Sequence, residues 1–319
     1  MVSVQLSDVE FVGAGLHRPE CVLTTRRGDL FVSDSRGGVS TFRPGGPVEF
    51  IAARNAPEGF YPNGIALLPD RSFLIADLGP GGGVYHLARD GTLTPRLTEI
   101  DGKRLPPTNF VGIDRNARIW VTVSTWKIPR EQAFKKGWAD GFVILVDNRG
   151  ARIVAEGIGS TNEAIVDPRG QWLYVNETIA QQTSRFAIRN DGALGPKEVV
   201  AKYGPATFPD GLTFDAEGGV WIVSVVSNRV VRVAADGTQE IVLEDADPEN
   251  LKRVDEAFND GTFGRPHIDS GGKRTLANLS SLAFGDVDLH TVYLGSLFGE
   301  RIGRFRSPIK GAAPIHWEF

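Results

Sequence analysis

The segment Phe208–Val223 reads FPDGLTFDAEGGVWIV and combines a Pro-Asp-Gly loop, an apolar strand, an Asp-Ala-Glu-Gly turn and a second apolar strand. Similar phrases recur along the chain, and each opens on a residue whose side chain carries an oxygen atom. These residues are Glu20, Asn63, Asn109, Asn162, Asp210 and, less clearly, Asn278. The recurrence indicates a repeat protein whose units each begin with one polar side chain.

The spacing of these phrases predicts a β-propeller. From Glu20 to Asp210 the marked residues are separated by 43, 46, 53 and 48 residues, close to the period of roughly 40–50 residues of a four-stranded propeller blade. The six phrases therefore predict an all-β, six-bladed β-propeller with four-stranded antiparallel blades. We expect a single domain that covers residues 1–319. For blade 5 the predicted strands are Leu212–Asp215, Val220–Val225, Val230–Val233 and Glu240–Leu243.

Blade 6 shows only three strands, so another part of the chain is needed to complete it. Its predicted strands are Ser281–Phe284, Val292–Gly295 and Ile302–Phe305. The segment Val9–Gly15 precedes Glu20 much as Arg152–Gly157 precedes Asn162, and we expect it to supply the missing strand. The tail Pro314–Phe319 is the alternative for this place. Such a join closes the ring and removes an exposed sheet edge.

Two segments interrupt the repeat. One covers about residues 126–141 within blade 3, and the other covers about residues 244–277 between blades 5 and 6. In the predicted topology both emerge on the top face, where the marked polar residues also lie, and such insertions commonly form a lid or binding wall. Aromatic side chains favour a packed lid over disordered decoration. These are Trp126, Phe134, Trp138, Phe258 and Phe263.

Composition narrows the possible partners. A net charge of -4 gives no electrostatic reason to expect nucleic acid or an anionic membrane. Cys21 is the only cysteine, which excludes a disulfide framework and a thiolate metal cluster. The N-terminal residues do not resemble a secretory signal, and no apolar run approaches about 18 residues. We expect a cytoplasmic monomer or homodimer that acts on a small molecule.

The marked residues are predicted to form a metal site. The first strand of each propeller blade lines the central channel, so these side chains converge at one mouth. Carboxylate and amide oxygens are ligands for hard divalent cations. Glu20 and Asp210 supply two negative charges, and Asn109 and Asn162 supply neutral oxygens. We expect one divalent ion, Ca²⁺ first, with Zn²⁺, Mn²⁺ or Mg²⁺ as alternatives. Such an ion polarises a carbonyl group and acidifies a bound water.

The same phrases resemble the SMP-30/gluconolactonase family of six-bladed propellers, which includes regucalcin. The resemblance covers nearly the whole chain outside the two insertions. The residues that carry it are Pro19-Glu20, Asn109 with Asp114–Trp120, Asn162 with Asp167–Gly170 and Leu173–Val175, and Pro209–Gly211 with Asp215–Gly218 and Trp221.

The resemblance implies that Glu20, Asn162 and Asp210 bind a single divalent metal, with Asn109 as a further ligand or substrate contact. It also implies hydrolysis of a lactone or related ester, with Asp210 as the catalytic group that helps to deprotonate water. The leading hypothesis is therefore a metal-dependent lactonase or esterase. Two alternatives stay open: a propeller that binds metal or ligand without turnover, and a metal-independent enzyme of the strictosidine-synthase type.

The chain departs from the family pattern in blades 3 and 4. Members often carry Asn-Asp-Gly in the third blade and Asn-Gly in the fourth, whereas here Phe110 follows Asn109 and Glu163 follows Asn162. We therefore expect a substrate that is bulkier and less polar than a sugar lactone. Glu163 is either an extra acid–base group or a supporting carboxylate. The predicted substrate contacts are Asn63, Asn109, Phe110, Glu163, Trp126, Trp138 and His17.

Overall fold

A computed structural model describes residues 3–319; Met1 and Val2 lie outside the described part. It contains six four-stranded antiparallel sheets arranged as the blades of a β-propeller, which confirms the predicted fold. The first strands of neighbouring blades contact one another around a central channel. An additional two-stranded hairpin, Glu99–Ile100 with Lys103–Arg104, follows blade 2.

The strands of the first three blades run outward from the channel in chain order. Blade 1 consists of Val22–Thr24, Leu30–Asp34, Gly38–Phe42 and Glu49–Ala52. Blade 2 consists of Pro62–Leu67, Phe73–Asp77, Val84–Leu87 and Leu93–Leu97. Blade 3 consists of Thr108–Ile113, Ile119–Val123, Gly141–Asp147 and Gly150–Ile158.

Blades 4 and 5 continue the pattern, and blade 6 joins the two ends of the chain. Blade 4 consists of Thr161–Val166, Trp172–Glu177, Gln182–Ile188 and Leu194–Lys202. Blade 5 consists of Thr207–Phe214, Val220–Val226, Arg229–Val233 and Gln239–Glu244. Blade 6 consists of Leu279–Gly285, Thr291–Ser296, Ile302–Arg306 and the N-terminal strand Glu10–Val12.

The N-terminal strand closes the ring, as predicted. Glu10–Val12 pairs antiparallel with Ile302–Arg306, which places it at the outer edge of blade 6. The C-terminal tail takes a different path, across the bottom of the propeller. There the Ala312 N–H donates to the Phe214 carbonyl (2.9 Å), and the Arg26 N–H donates to the Trp317 carbonyl (2.9 Å). The tail therefore covers the lower end of the channel.

A buried aspartate fixes the turn between the first and second strands of blades 3 and 5. In blade 3, Asp114 accepts the Trp120 indole N–H (2.9 Å) and pairs with Arg118 (2.7 Å). In blade 5, Asp215 accepts the Trp221 indole N–H (2.9 Å) in the same way. In these two blades the Asp turn thus ties the hairpin to the tryptophan that the next strand buries.

The two insertions pack against each other on the top face. The second contains helix α1 (Pro248–Asp260), helix α2 (Arg265–Asp269) and a 3₁₀ turn (Ser270–Lys273), and the first contains a 3₁₀ turn (Arg130–Ala133). Phe263 of the second insertion stacks on Phe208 of blade 5 (centroids 4.9 Å apart) and lies 6.4 Å from Phe134 of the first. Together with Phe258 these rings form a buried cluster, so the insertions are a packed cover.

No helix within residues 3–319 is long and apolar enough to cross a bilayer.

Candidate metal centre at the channel mouth

Five of the six marked polar residues line one cavity at the top of the channel. Its volume is about 50 Å³, which holds a few water molecules. The five are Glu20, Asn63, Asn109, Asn162 and Asp210. Asn278 does not line this cavity. Its Oδ1 accepts the Val226 N–H (2.6 Å) and its Nδ2 donates to the Ile268 carbonyl (2.9 Å), so it fastens the second insertion to blade 5.

Bulges in the main chain orient four of these side chains towards the cavity. A β-bulge leaves a residue outside the hydrogen-bonded ladder and turns its side chain away from the regular pleat. The pairing of first and second strands shifts register at Asn63, Asn109, Asn162 and Asp210. The bulge at Asp210 is held from blade 4, because Asn176 Nδ2 donates to the carbonyls of Asp210 and Gly211 (2.9 and 3.1 Å).

Glu20 reaches the cavity from the loop that precedes blade 1. Its N–H donates to the Arg18 carbonyl (2.7 Å), and its carbonyl accepts the Ser280 hydroxyl (2.8 Å). Arg18 has a φ of 50°, a left-handed conformation that residues other than glycine adopt infrequently. The Glu20 side chain is consequently buried between blades 1 and 6 with little freedom to move.

The hydrogen bonds of Thr178 determine how the Asn162 amide is oriented. The Thr178 hydroxyl donates its single proton to the Pro209 carbonyl (2.8 Å). It can then only accept from Asn162, whose Nδ2 lies 2.9 Å away. The amide nitrogen of Asn162 is therefore assigned to Thr178, and its Oδ1 is left without a partner.

Three buried oxygen atoms of this cavity have no hydrogen-bond partner among residues 3–319. They are Glu20 Oε2, Asn109 Oδ1 and Asn162 Oδ1. Buried polar atoms are nearly always paired, and a hard cation is an occupant that carboxylate and amide oxygens fit. In the described part of the chain, no group of three or more His, Cys, Asp and Glu side chains could hold a metal ion. A metal here would accordingly depend on amide oxygens as well as carboxylates.

The two carboxylates of the cavity resist ionisation. Burial raises the pKa of Glu20 to about 7, although the charges of Arg18 and Arg130 oppose the shift. Burial, followed by the negative charge of Glu20, raises the pKa of Asp210 well above its usual range. A bound cation favours the ionised form of both groups, so metal binding offsets the electrostatic cost of the pair.

Asn63 has a different role from the other amides. Its Oδ1 accepts from the Arg18 guanidinium (2.8 Å), and its Nδ2 donates to the Asn109 carbonyl (2.8 Å). Because its oxygen is already used, Asn63 links Arg18 to the bulge at Asn109 and does not offer a free ligand atom.

Three arginines also line the cavity, and sequence reasoning missed them. Arg18 lies beside Glu20, Arg130 lies in the first insertion, and Arg265 begins helix α2 in the second. Burial, together with the positive charges of Arg265 and Arg18, lowers the pKa of Arg130 to about 10. The position of Arg18 next to Pro19-Glu20 was the available sequence signal. The other two lie outside the repeat, so the spacing argument could not reach them.

Two predicted substrate contacts lie lower in the channel. Phe110 and Glu163 line a second cavity of about 140 Å³, which the C-terminal tail closes from below. Glu163 Oε2 accepts the Leu212 N–H (3.0 Å), whereas its Oε1 has no partner in the described structure. Burial, with the negative charge of Glu20, raises the pKa of Glu163 well above its usual range. Its place favours a supporting carboxylate below the metal centre.

Three further predicted contacts are not among the residues that line the upper cavity. Trp126 stacks on Phe142 within blade 3, with ring centroids 4.4 Å apart. The Trp138 indole N–H donates to Asp140 (2.7 Å). His17 is exposed on its loop, where its N–H donates to Asp34 (3.3 Å). In the first insertion, the side chain that lines the cavity together with Arg130 is that of Phe134.

Fold and site together define a six-bladed propeller whose channel mouth presents buried side-chain oxygen atoms. The family model described as the SMP-30/gluconolactonase/LRE-like region matches residues 19–248. The chain therefore belongs to this family, as its sequence resemblance predicted.

Comparison with individual proteins adds similarity of fold and a partial sequence match. A gluconolactonase from Xanthomonas campestris is 20% identical with a TM-score of 0.67, covering 95% of this chain and 91% of that one. A calcium-binding regucalcin from Agrobacterium tumefaciens is 15% identical with a TM-score of 0.68, covering 98% and 97%. Strictosidine synthase-like protein 13 of Arabidopsis thaliana is 25% identical over 160 residues. That match spans 49% of this chain but only 37% of the relative.

Proposed function

We propose that this protein is a lactonase-type hydrolase that holds one divalent cation at the channel mouth. The observation that carries the proposal is the set of unpartnered, buried oxygens of Glu20, Asn109 and Asn162 beside Asp210. Membership of a family whose model is named for gluconolactonase supports the reaction type. Calcium is the expected ion, since all the ligand atoms are oxygens and a structural neighbour is a calcium-binding protein.

When bound, the cation supplies Lewis acidity for the ester carbonyl and lowers the pKa of a water molecule. The chain contributes the geometry. Glu20 and Asp210 supply two charges that balance the ion, and Asn162 presents Oδ1 because Thr178 holds its nitrogen. Asn176 holds the bulge that carries Asp210, so the carboxylate keeps one position in the mouth.

Asp210 is the proposed general base. Its carboxylate lines the same cavity as the proposed ion, and the cation keeps it ionised, so it can accept a proton from a water molecule held there. In the proposed reaction the oxygen of water bonds to the carbonyl carbon while Asp210 takes up one proton. The carbon–oxygen bond of the ring then breaks, and the proton passes to the departing alkoxide. The product is an open hydroxy acid, so atoms and charge balance without any further reactant.

The walls of the cavity are mixed: Ser124, Ser160 and Thr178 line it beside the candidate ligands and the arginines, and apolar side chains complete it. Leu78, Val225 and Ile268 line it together with Phe134. At about 50 Å³ the space has room for an ion and a few water molecules, so a substrate would extend from it between the two insertions. The apolar part of the lining supports a substrate whose uncharged body is bulkier and less polar than a sugar ring.

The deciding experiment combines metal analysis with turnover. Purified protein should contain or take up one divalent ion, and a pH-indicator screen of lactones and esters should show acid release that chelation abolishes. The variant D210N should lose at least about 100-fold in kcat/KM, because it removes a ligand charge and the base together. E177Q, which changes a buried glutamate of blade 4 away from the cavity, is the matched control. Turnover at the wild-type rate by D210N would overturn the assignment of Asp210.

The strictosidine synthase-like relative supports one alternative, a propeller enzyme that needs no metal. Full activity after exhaustive chelation would favour it. The regucalcin neighbour supports another, a calcium-binding propeller without turnover. Stoichiometric calcium binding with no hydrolysis across the substrate screen would favour that reading.

A further inference from the structure

The three arginines at the mouth carry more positive charge than a metal centre requires. Glu20 and Asp210 supply two negative charges, which one divalent cation already balances. With that cation bound, the guanidinium groups of Arg18, Arg130 and Arg265 remain around the same small cavity. Their charge is then surplus, and it surrounds the place where a substrate would sit.

The residues that contact these arginines in the described structure do not neutralise all of their positive charge. Arg265 pairs with Asp269 (2.8 Å), but Arg18 contacts only neutral groups, Asn63 Oδ1 (2.8 Å) and the ring of Tyr61 (4.7 Å) among them. Arg130 forms no hydrogen bond and no ion pair within 4.0 Å with any residue from 3 to 319, and Glu131 and Asp210 act on it only through their more distant charges. A partly buried guanidinium that lies near two like charges and has no hydrogen-bonded partner is costly unless an anion completes the site.

Guanidinium groups suit one class of ligand. They present several N–H donors in a plane and bind carboxylate or phosphate oxygens through two parallel hydrogen bonds. Arg130 and Arg265 come from opposite insertions and meet over the mouth, so an oxyanion between them would also tie the two insertions together.

We propose that Arg130 and Arg265, with Arg18 beside them, form an oxyanion subsite, and that the substrate is a lactone or ester bearing a carboxylate or phosphate group. This inference rests on the proposed hydrolase function for its substrate, but the subsite itself is testable without turnover. The apolar walls receive the body of the substrate, and the arginines bind its charged end.

Direct binding tests the subsite in calcium-loaded protein. Isothermal titration calorimetry would use glutarate for the carboxylate arm and methyl phosphate for the phosphate arm, at constant ionic strength. We expect R130Q to bind the preferred probe at least about tenfold more weakly, with R130K intermediate. R253Q, which removes an exposed arginine of helix α1 outside the cavity, should bind like the wild type. Calcium affinity of each variant, measured separately, shows that the mouth is intact.

The outcomes separate the subsite from the metal. If R130Q binds both probes as tightly as the wild type, the anions contact only the metal or nothing specific, and the subsite is refuted. If the wild type binds neither probe, the subsite is refuted as well. Which probe binds tighter identifies the carboxylate or the phosphate as the natural group.

Turnover tests the substrate class. A lactone with a pendant carboxylate is compared with the same lactone bearing a primary amide, which has nearly the same shape without the charge. We expect the wild type to prefer the charged lactone, and R130Q to reduce that preference about tenfold. Hydrolysis that favours the neutral amide-bearing lactone would overturn the inference and leave the hydrolase function standing. Probe binding that depends on Arg130, with neither lactone hydrolysed, would support the subsite and refute the hydrolase function.

Discussion

Replacing Glu20 by glutamine should stabilise the metal-free protein at about pH 8, although the same change should weaken metal binding. Glu20 is only 3% exposed, and burial raises its pKa from 4.5 to about 7. Without a metal, ionising this carboxylate therefore costs the folded state free energy. Glutamine keeps the shape and avoids the charge.

The direction of the stability change with pH follows from the number of protons that the folded and unfolded states bind. Between about pH 4.5 and pH 7 the folded state holds a proton on Glu20 that the unfolded chain has released, so stability falls as the pH rises. The contribution is fully present below about pH 4.5 and is lost as the pH passes through about 7. A difference of two to three pKa units corresponds to about 3 kcal/mol, since one unit is about 1.4 kcal/mol. The wild type should lose this amount relative to E20Q.

Urea unfolding of chelated protein at about pH 5 and pH 8 measures the difference. E20Q should gain about 3 kcal/mol over the wild type at the higher pH and less than about 1 kcal/mol at the lower. The control E177Q alters a buried glutamate that already has partners, the Gly159 N–H (2.8 Å) and Lys197 (3.3 Å), and should lose stability at both. If E20Q is destabilised at pH 8 as E177Q is, the electrostatic reasoning fails. Calcium should stabilise the wild type more than E20Q.

Two further changes test the bulge that carries Asp210. N176A removes both hydrogen bonds to the bulge without changing a candidate ligand, and should weaken calcium binding about tenfold as measured by calorimetry. Unchanged calcium affinity would show that the bulge keeps its conformation without these two hydrogen bonds. G211A would place a Cβ 2.6 Å from the Ser281 Cα in the neighbouring blade, where the main chain cannot give way cheaply. Its unfolding free energy should fall by about 1–3 kcal/mol, and wild-type stability in this variant would contradict the packing described.

The fold was predictable because each blade repeats a similar local sequence pattern. The Asp turn, the flanking apolar strands and the regular period all point to one architecture, and in blades 3 and 5 the turn aspartates Asp114 and Asp215 are buried. Strand ends were less predictable. The first strand of blade 5 begins at Thr207 and not at Leu212, because the bulge at Asp210 lets pairing continue on its other side. A bulge interrupts the alternation of apolar and polar residues that sequence reasoning follows.

The candidate ligands were predictable for the same reason as the fold. Glu20, Asn109, Asn162 and Asp210 occupy one position of the repeated phrase, so placing the blades also places these side chains. The insertions have no such repeat. Their aromatic content indicated packing, yet it could not show that Phe134 faces the mouth while Trp126 stacks back on its own blade.

The arrangement separates two tasks that the proposed hydrolase must combine. The repeats supply the oxygens, and bulges fastened from neighbouring blades hold them at one mouth. The insertions supply Arg130, Arg265 and the apolar cover, which lie over the same cavity but share no main-chain hydrogen bond with the ligand bulges among the described residues. Metal affinity should therefore depend chiefly on the blades, and the choice of substrate chiefly on the insertions. The three arginines carry more positive charge than the two candidate ligand carboxylates carry negative charge. The insertions, which supply two of these arginines, should therefore also influence how strongly the blades bind a cation.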